Sequence, residues 1–128
     1  MKILGIGVDI IKNNRIKSSL KNKKFINRIY SKNELKNSIT VKNKINYFSK
    51  RFAAKEAFAK ALGTGFRINL NFRDIEVINN KIGKPSFVKN NKINKIVQKR
   101  FKVKKFNCFL SISDEKDYSI AFAIIQSI

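Results

Sequence analysis

The chain has 128 residues, with 29 Lys and Arg against 8 Asp and Glu, no His, and a formal net charge of +21. That length predicts one domain over residues 1–128, and 43% hydrophobic residues with 11 Phe argue against disorder despite the charge. Without His there is no Ser-His-Asp or Cys-His chemistry and no His-ligated zinc, and a single cysteine, Cys108, excludes internal disulfides and multi-thiolate metal sites.

In chain order, Ile3 to Val8 is too short an apolar run for a helix and predicts a buried strand. Strict alternation would send Ile3, Gly5, Gly7 and Asp9 to one face and Leu4, Ile6 and Val8 to the other. Glycines inside a strand mark a close approach by another backbone or a ligand. Residues 13–37 read as short helical pieces, with Ser31 and Glu34 spaced as a capping box. A long helix follows over about 41–62, its apolar stripe being Ile45, Phe48, Phe52, Ala59 and Leu62, stopped by Gly63 and Gly65. Next come a short strand at 75–78, turns at Asn79-Asn80 and Gly83-Lys84-Pro85, and extended Phe87-Val88. A helix capped from Asn90-Asn91 carries Ile93, Ile96, Val97 and Phe101. The hairpin 106–113/118–125 closes the chain. This order predicts an α+β fold, antiparallel strands packed on a long helix. No run is long and apolar enough to cross a membrane, and the start lacks a cleavable-signal layout, so the expectation is a cytoplasmic protein without membrane association.

The basic charge is a weak guide to function. Lysine outnumbers arginine 23 to 6, and 20 Ile and 16 Asn accompany it, a pattern that compositional drift explains better than selection for nucleic-acid binding. No motif for base readout is present, so no specific nucleic-acid partner is expected. The eight acids are more informative. Glu56 falls about 20° from Ile45 on the helical wheel, one turn after Phe52, at the edge of the apolar stripe. Three readings of it stand open: an i,i+4 pair with Lys60, a buried hydrogen-bonded structural role, or a site shared with Asp9. Two hard carboxylates without His or Cys suit Mg²⁺, which normally completes its shell with waters and substrate phosphates. Lys60, Arg51 and Lys55 are then candidates to contact phosphate oxygens.

Taken together, GIGVDI ending on Asp9, Arg15 six residues later, RFAAKEAFAKALGTG at 51–65, GKP at 83–85 and LSISDEKDYSIAFAII at 110–125 resemble the holo-acyl-carrier-protein synthase family, the small bacterial 4′-phosphopantetheinyl transferases. The resemblance runs over nearly the full chain. It implies the 4′-phosphopantetheinyl transferase-like fold and transfer of 4′-phosphopantetheine from coenzyme A (CoA) to a serine of apo-acyl carrier protein, releasing adenosine 3′,5′-bisphosphate. It further implies Asp9 and Glu56 as Mg²⁺ ligands, Lys60 beside the phosphates, and a homotrimer with sites between subunits. Gly83, Lys84, Pro85 and the hairpin near Ser111 would help house CoA, and Arg15 and Arg28 would face the acidic carrier. With no His in the chain, Glu56, directly or through one water, is the candidate base for the serine proton.

Two positions depart from the family. Phe109 stands where many relatives have a histidine, which leaves open a binder of CoA or carrier without catalysis. Asn13 replaces an apolar residue, and predicts a less well packed first helix. A nucleic-acid-binding module is the alternative from another class, motivated by the +21 charge.

Overall fold

The computed structural model describes all residues, 1–128. Strand β1 (Lys2–Lys12) leads into three seven-residue helices, α1 (Asn13–Ser19), α2 (Lys23–Ile29) and α3 (Lys32–Ser38), and then the long α4 (Lys44–Leu62). A 3-10 turn (Phe72–Asp74) precedes the short strands β2 (Val77–Asn79) and β3 (Pro85–Phe87), helix α5 (Asn91–Phe101), and the closing hairpin β4 (Phe106–Asp114) and β5 (Tyr118–Ser127). The three long strands form an antiparallel sheet in the order β1-β5-β4, so the two ends of the chain pair with each other. The β2-β3 pair is a separate antiparallel ribbon.

Side-chain caps define the helix starts. Asn22, Asn43 and Asn90 each accept backbone N–H groups at the first turn, and Ser31 and Glu34 form the reciprocal capping box. Helix α4 ends where Gly63 takes the left-handed conformation at φ 79°.

The glycines of β1 decide how α4 meets the sheet. A Cβ on Gly5 would lie 1.8 Å from the carbonyl oxygen of Ala61, and one on Gly7 would lie 2.0 Å from that of Ala57. Strand and helix backbones therefore touch, with buried Ala121 and Ala123 of β5 on the same inner face. This small-residue face of α4 is one that the periodicity reading missed. Its aromatic stripe is real but packs the other way, toward the short helices: Phe48 lies against Tyr30 (4.6 Å between ring centroids), and Phe52 stacks on Phe25 (6.4 Å) and Phe72 (5.4 Å). α4 is thus buried on two sides.

Strict alternation fails at the start of β1. The register with β5 shifts between Ile3 and Gly5, so Ile3 is 53% exposed instead of inward, and Leu4 packs on the core. The second strand also starts two residues later than the apolar run, because the 3-10 turn delivers Ile75 into the core first.

Asn13 does not loosen the first helix. It is buried, and its side-chain amide donates to Asn46 Oδ1 (3.3 Å) and to the carbonyls of Glu115 (2.9 Å) and Lys116 (3.0 Å), while its Oδ1 accepts from Ser119 Oγ (2.7 Å). An apolar residue could not make these bonds. Asn13 ties the β1–α1 junction to the β4–β5 turn and to α4.

Candidate active site

Asp9 stands near the end of β1 on the face that Gly5 and Gly7 leave open to α4, with its side chain 17% exposed. The close approach of the two backbones brings Glu56 and Lys60, one turn apart on α4, to this strand end. Lys60 Nζ donates to Asp9 Oδ1 (3.1 Å) and to the carbonyl of Val8 (3.0 Å). Lys60 thus pairs with Asp9, and the i,i+4 pair with Glu56, one of the three open readings, is not made. Glu56 is half-buried and has no hydrogen-bond partner, which also removes the buried structural reading. Burial raises its pKa above the ordinary 4.5, and the neighbouring Asp9 charge adds to the rise, while Lys60 and Arg15 oppose it. Asp9, Glu56, Lys60 and Arg15 therefore share one electrostatic environment.

The donor chemistry of this cluster fits a hard divalent cation. Two carboxylates converge with no nitrogen or sulfur ligand, and the ammonium of Lys60 already rests against Asp9 where positive charge is favoured. No third acid joins them, so water and substrate oxygens would have to complete a shell.

Other expected site residues lie elsewhere on the chain. Gly83, at φ 88°, turns the β2–β3 ribbon, and Asn80 Oδ1 accepts from the N–H groups of Ile82 and Lys84 to hold the turn. Gly83 and Pro85 open onto a small cleft floored by Arg51, with Ile112 beside it. Ser111 precedes Ile112 on β4 and is exposed, opposite Phe122. Within one chain this cleft shares no residue with the carboxylate cluster. Arg51 belongs to it and not to Glu56: it is buried, lies over the Tyr47 ring at 3.7 Å and donates to Asn79. Arg15 is exposed on α1, and Arg28 is exposed on α2 at the rim of a separate cleft. Phe109 lies exposed on the outer face of the sheet, opposite Ile124.

Lys55 corrects the sequence reading. Its side chain is 0% exposed, and its Nζ bonds to Glu34 Oε1 (2.7 Å) and to the carbonyls of Phe72 and Ile75, so it cannot reach a substrate phosphate. Glu34 meanwhile accepts from the backbone N–H of Ser31 (2.9 Å) and Val77 (3.0 Å). The capping box announced the Ser31 bond, but nothing in the spacing of Glu34 and Lys55 announced their pairing.

The chain belongs to the 4′-phosphopantetheinyl transferase superfamily, whose family model matches residues 5–123. Within that class its relatives are holo-[acyl-carrier-protein] synthases: one from Pelagibacter ubique is 64% identical over 126 residues, covering 98% of each chain. The solved holo-[acyl-carrier-protein] synthase of Neisseria meningitidis superposes with a TM-score of 0.86 at 38% identity, over 98% of this chain and 99% of that one. A holo-(acyl-carrier-protein) synthase from Bacillus anthracis, solved in complex with CoA (3′,5′-ADP), superposes with a TM-score of 0.82 at 35% identity over the full length of both chains. The resemblance read from the motifs and the α+β fold expected from the element order are both correct.

Proposed function

We propose that this chain transfers the 4′-phosphopantetheine group of CoA to a serine of apo-acyl carrier protein and releases adenosine 3′,5′-bisphosphate. The observation that carries the reading is the convergence of Asp9, Glu56 and Lys60 at the contact of β1 with α4. In the reaction the serine oxygen forms a bond to the phosphorus that bears pantetheine, and the phosphoanhydride bond to the adenosine bisphosphate breaks. Such a transfer depends mainly on positioning and on neutralising oxygen charge.

Asp9 and Glu56 would hold a Mg²⁺ ion, which when bound supplies Lewis-acid neutralisation of the pyrophosphate. Glu56 takes the serine proton, directly or through one water. Lys60, exposed and held only by Asp9 and one carbonyl, swings to the leaving phosphate. Arg15 and Arg28 offer cations to the acidic carrier. The cleft at Gly83, Lys84 and Pro85, with Arg51 and the hairpin near Ser111, takes CoA supplied to a neighbouring subunit's carboxylates. That arrangement needs a neighbouring subunit, as in the homotrimer the resemblance implies, and the apolar outer face of the sheet (Ile6, Val8, Ile10, Ile120, Phe122) is the surface that would close it. We place this single-domain enzyme in the cytoplasm, serving fatty acid biosynthesis.

Purified protein incubated with CoA, Mg²⁺ and apo-acyl carrier protein should add the phosphopantetheine mass to the carrier. Glu56→Ala should abolish that gain while remaining folded. An unchanged carrier mass with wild-type enzyme would refute the reading, and full activity in Glu56→Ala would refute the assigned site.

A further inference from the structure

Cations occur along the whole chain but are densest over residues 89–105, where 8 of 17 positions are Lys or Arg against 29 of 128 in the chain as a whole. No Asp or Glu occurs anywhere from Val77 to Ser113. Compositional drift accounts for the number of lysines. It does not account for which of them the fold leaves unpaired on one face.

Helix α5 builds that face. Ile93 and Val97 are buried, and Ile96, Phe101 and Val103 pack on the core. On a wheel of about 100° per residue, Lys92, Lys95 and Lys99 fall within about 60° of one another, and about 100° or more from Ile93 and Val97. Burying the apolar side therefore turns the lysines outward. The following segment continues them. Lys102 takes the left-handed conformation that ends α5, at φ 56°, and Lys104 and Lys105 line a cleft with Lys89 and Gln98 that no acidic side chain enters. Three of the eight cations are engaged within the chain. Lys92 pairs with Asp74 (2.6 Å), Arg100 Nε donates to the carbonyl of Leu62 (2.8 Å), and Lys89 Nζ donates to that of Phe106. The other five, Lys95, Lys99, Lys102, Lys104 and Lys105, are exposed and have no ion-pair partner.

A face of this kind attracts a polyanion, and its remaining surface says which. No large apolar side chain of residues 89–105 is exposed, so nothing on the face would enter a bilayer, where binding scales with the apolar area buried. Phe101 and Phe106 are turned to the core, so no ring is offered to unpaired bases for stacking. What is left is ammonium groups with an exposed amide, Asn91, at the start of the helix. That is the chemistry that neutralises and hydrogen-bonds phosphate oxygens without reading bases.

We infer that α5 and residues 102–105 form a sequence-independent binding face for duplex nucleic acid, held through its phosphates. The inference is independent of the transferase reading, since α5 carries none of the residues assigned to the transfer.

Fluorescence anisotropy of the whole chain with a labelled DNA duplex of about 25 base pairs, and with an RNA duplex of the same length, tests this. Wild type is expected to bind both, whatever their sequence, with Kd of about 1–100 µM at physiological salt and a steep loss of affinity as salt rises. Lys95→Gln/Lys99→Gln/Lys105→Gln should weaken binding about tenfold and lower the salt slope by about one unit per lysine. Lys21→Gln/Lys36→Gln/Lys42→Gln removes the same charge at exposed positions elsewhere and should stay within twofold of wild type. Both triple variants should melt with wild type, because every changed side chain is exposed. Equal weakening in the two variants would reduce the effect to net charge and overturn the face. Duplex binding that survives in the Lys95/Lys99/Lys105 variant, while binding to vesicles of anionic phospholipid is lost, would assign the face to a membrane and overturn the nucleic-acid inference. A wild-type Kd above about 1 mM for both duplexes at physiological salt would overturn it as well.

Discussion

Glu34 and Lys55 illustrate what a single residue does in this protein. Both side chains are fully buried, and every polar atom of the pair is answered: Lys55 by Glu34 and two carbonyls, Glu34 by Lys55 and two backbone N–H groups. Removing one partner strands a charge in the interior, which typically costs about 3–5 kcal/mol. Lys55→Met is expected to lose stability of that order in urea denaturation, and the double variant Lys55→Met/Glu34→Gln to recover part of it. Glu56 carries the opposite sign of effect. Its pKa is raised by burial and by Asp9, so its contribution to folding is fully present below the ordinary 4.5 and is lost as pH rises through the higher folded value. In metal-free buffer Glu56→Gln should therefore melt above wild type at pH 7, and the gap should close at about pH 4. A gap of the same size at both pH values would contradict this. The residue proposed as the base is thus one where the fold gives up stability at neutral pH.

At the scale of elements, the contact of β1 with α4 builds the carboxylate cluster. Gly7 sits against the carbonyl of Ala57 so closely that even a methyl group has no room. Gly7→Ala must push the helix off the strand, at a cost of about 1–3 kcal/mol or more for an overpacked interior. Because Asp9 rides on the strand and Glu56 and Lys60 on the helix, the same change should cut turnover by a larger factor than the lost stability explains. Comparing kcat at a temperature where the variant is fully folded checks this. The polar ties of Asn13 act at the same scale, joining β1, α4 and the hairpin turn. Asn13→Leu leaves buried Ser119 and Asn46 short of partners and should cost about 1–3 kcal/mol, read by thermal or urea denaturation.

At the scale of the molecule, neither face of the main sheet is dressed for water. The inner face is covered by α4. The outer face exposes Ile6, Val8 and Ile10 of β1 beside Ile120 and Phe122 of β5, with Phe109 of β4 on the same side. A contiguous apolar face in a chain of net charge +21 is a surface prepared for association. In the proposed trimer this face is internal, so Phe122→Lys should yield monomers in sedimentation velocity and lose most transfer activity, since the cleft at Gly83 and Pro85 would no longer meet a neighbour's carboxylates. The aggregate positive charge is a different matter. It is spread along the chain.

Local rules in the sequence were enough for much of this protein. Capping residues, helix periodicity and turn residues specify the element order, because a helix start or a hairpin turn is settled within a few residues by hydrogen bonds the chain makes to itself. The motifs around Asp9, Glu56 and Lys60 carried the family, and the out-of-place carboxylates drew attention to the cluster before any fold was known. What periodicity could not supply was partner identity across the fold. It saw the aromatic stripe of α4 and missed its alanine face, because alanine carries little hydrophobic signal until a glycine strand lies against it. It read Lys55 as a candidate phosphate contact, since a cation on a helix looks exposed until the acid that buries it arrives from another element. The family pattern made Asn13 look like a packing defect, because its four partners come from Asn46, the 115–116 turn and Ser119, far away along the chain. Sequence alone determined most of the elements and the candidate chemistry; the tertiary structure decided which charges are buried in pairs and which stay exposed, because burial and pairing are properties of space that no spacing along the chain encodes.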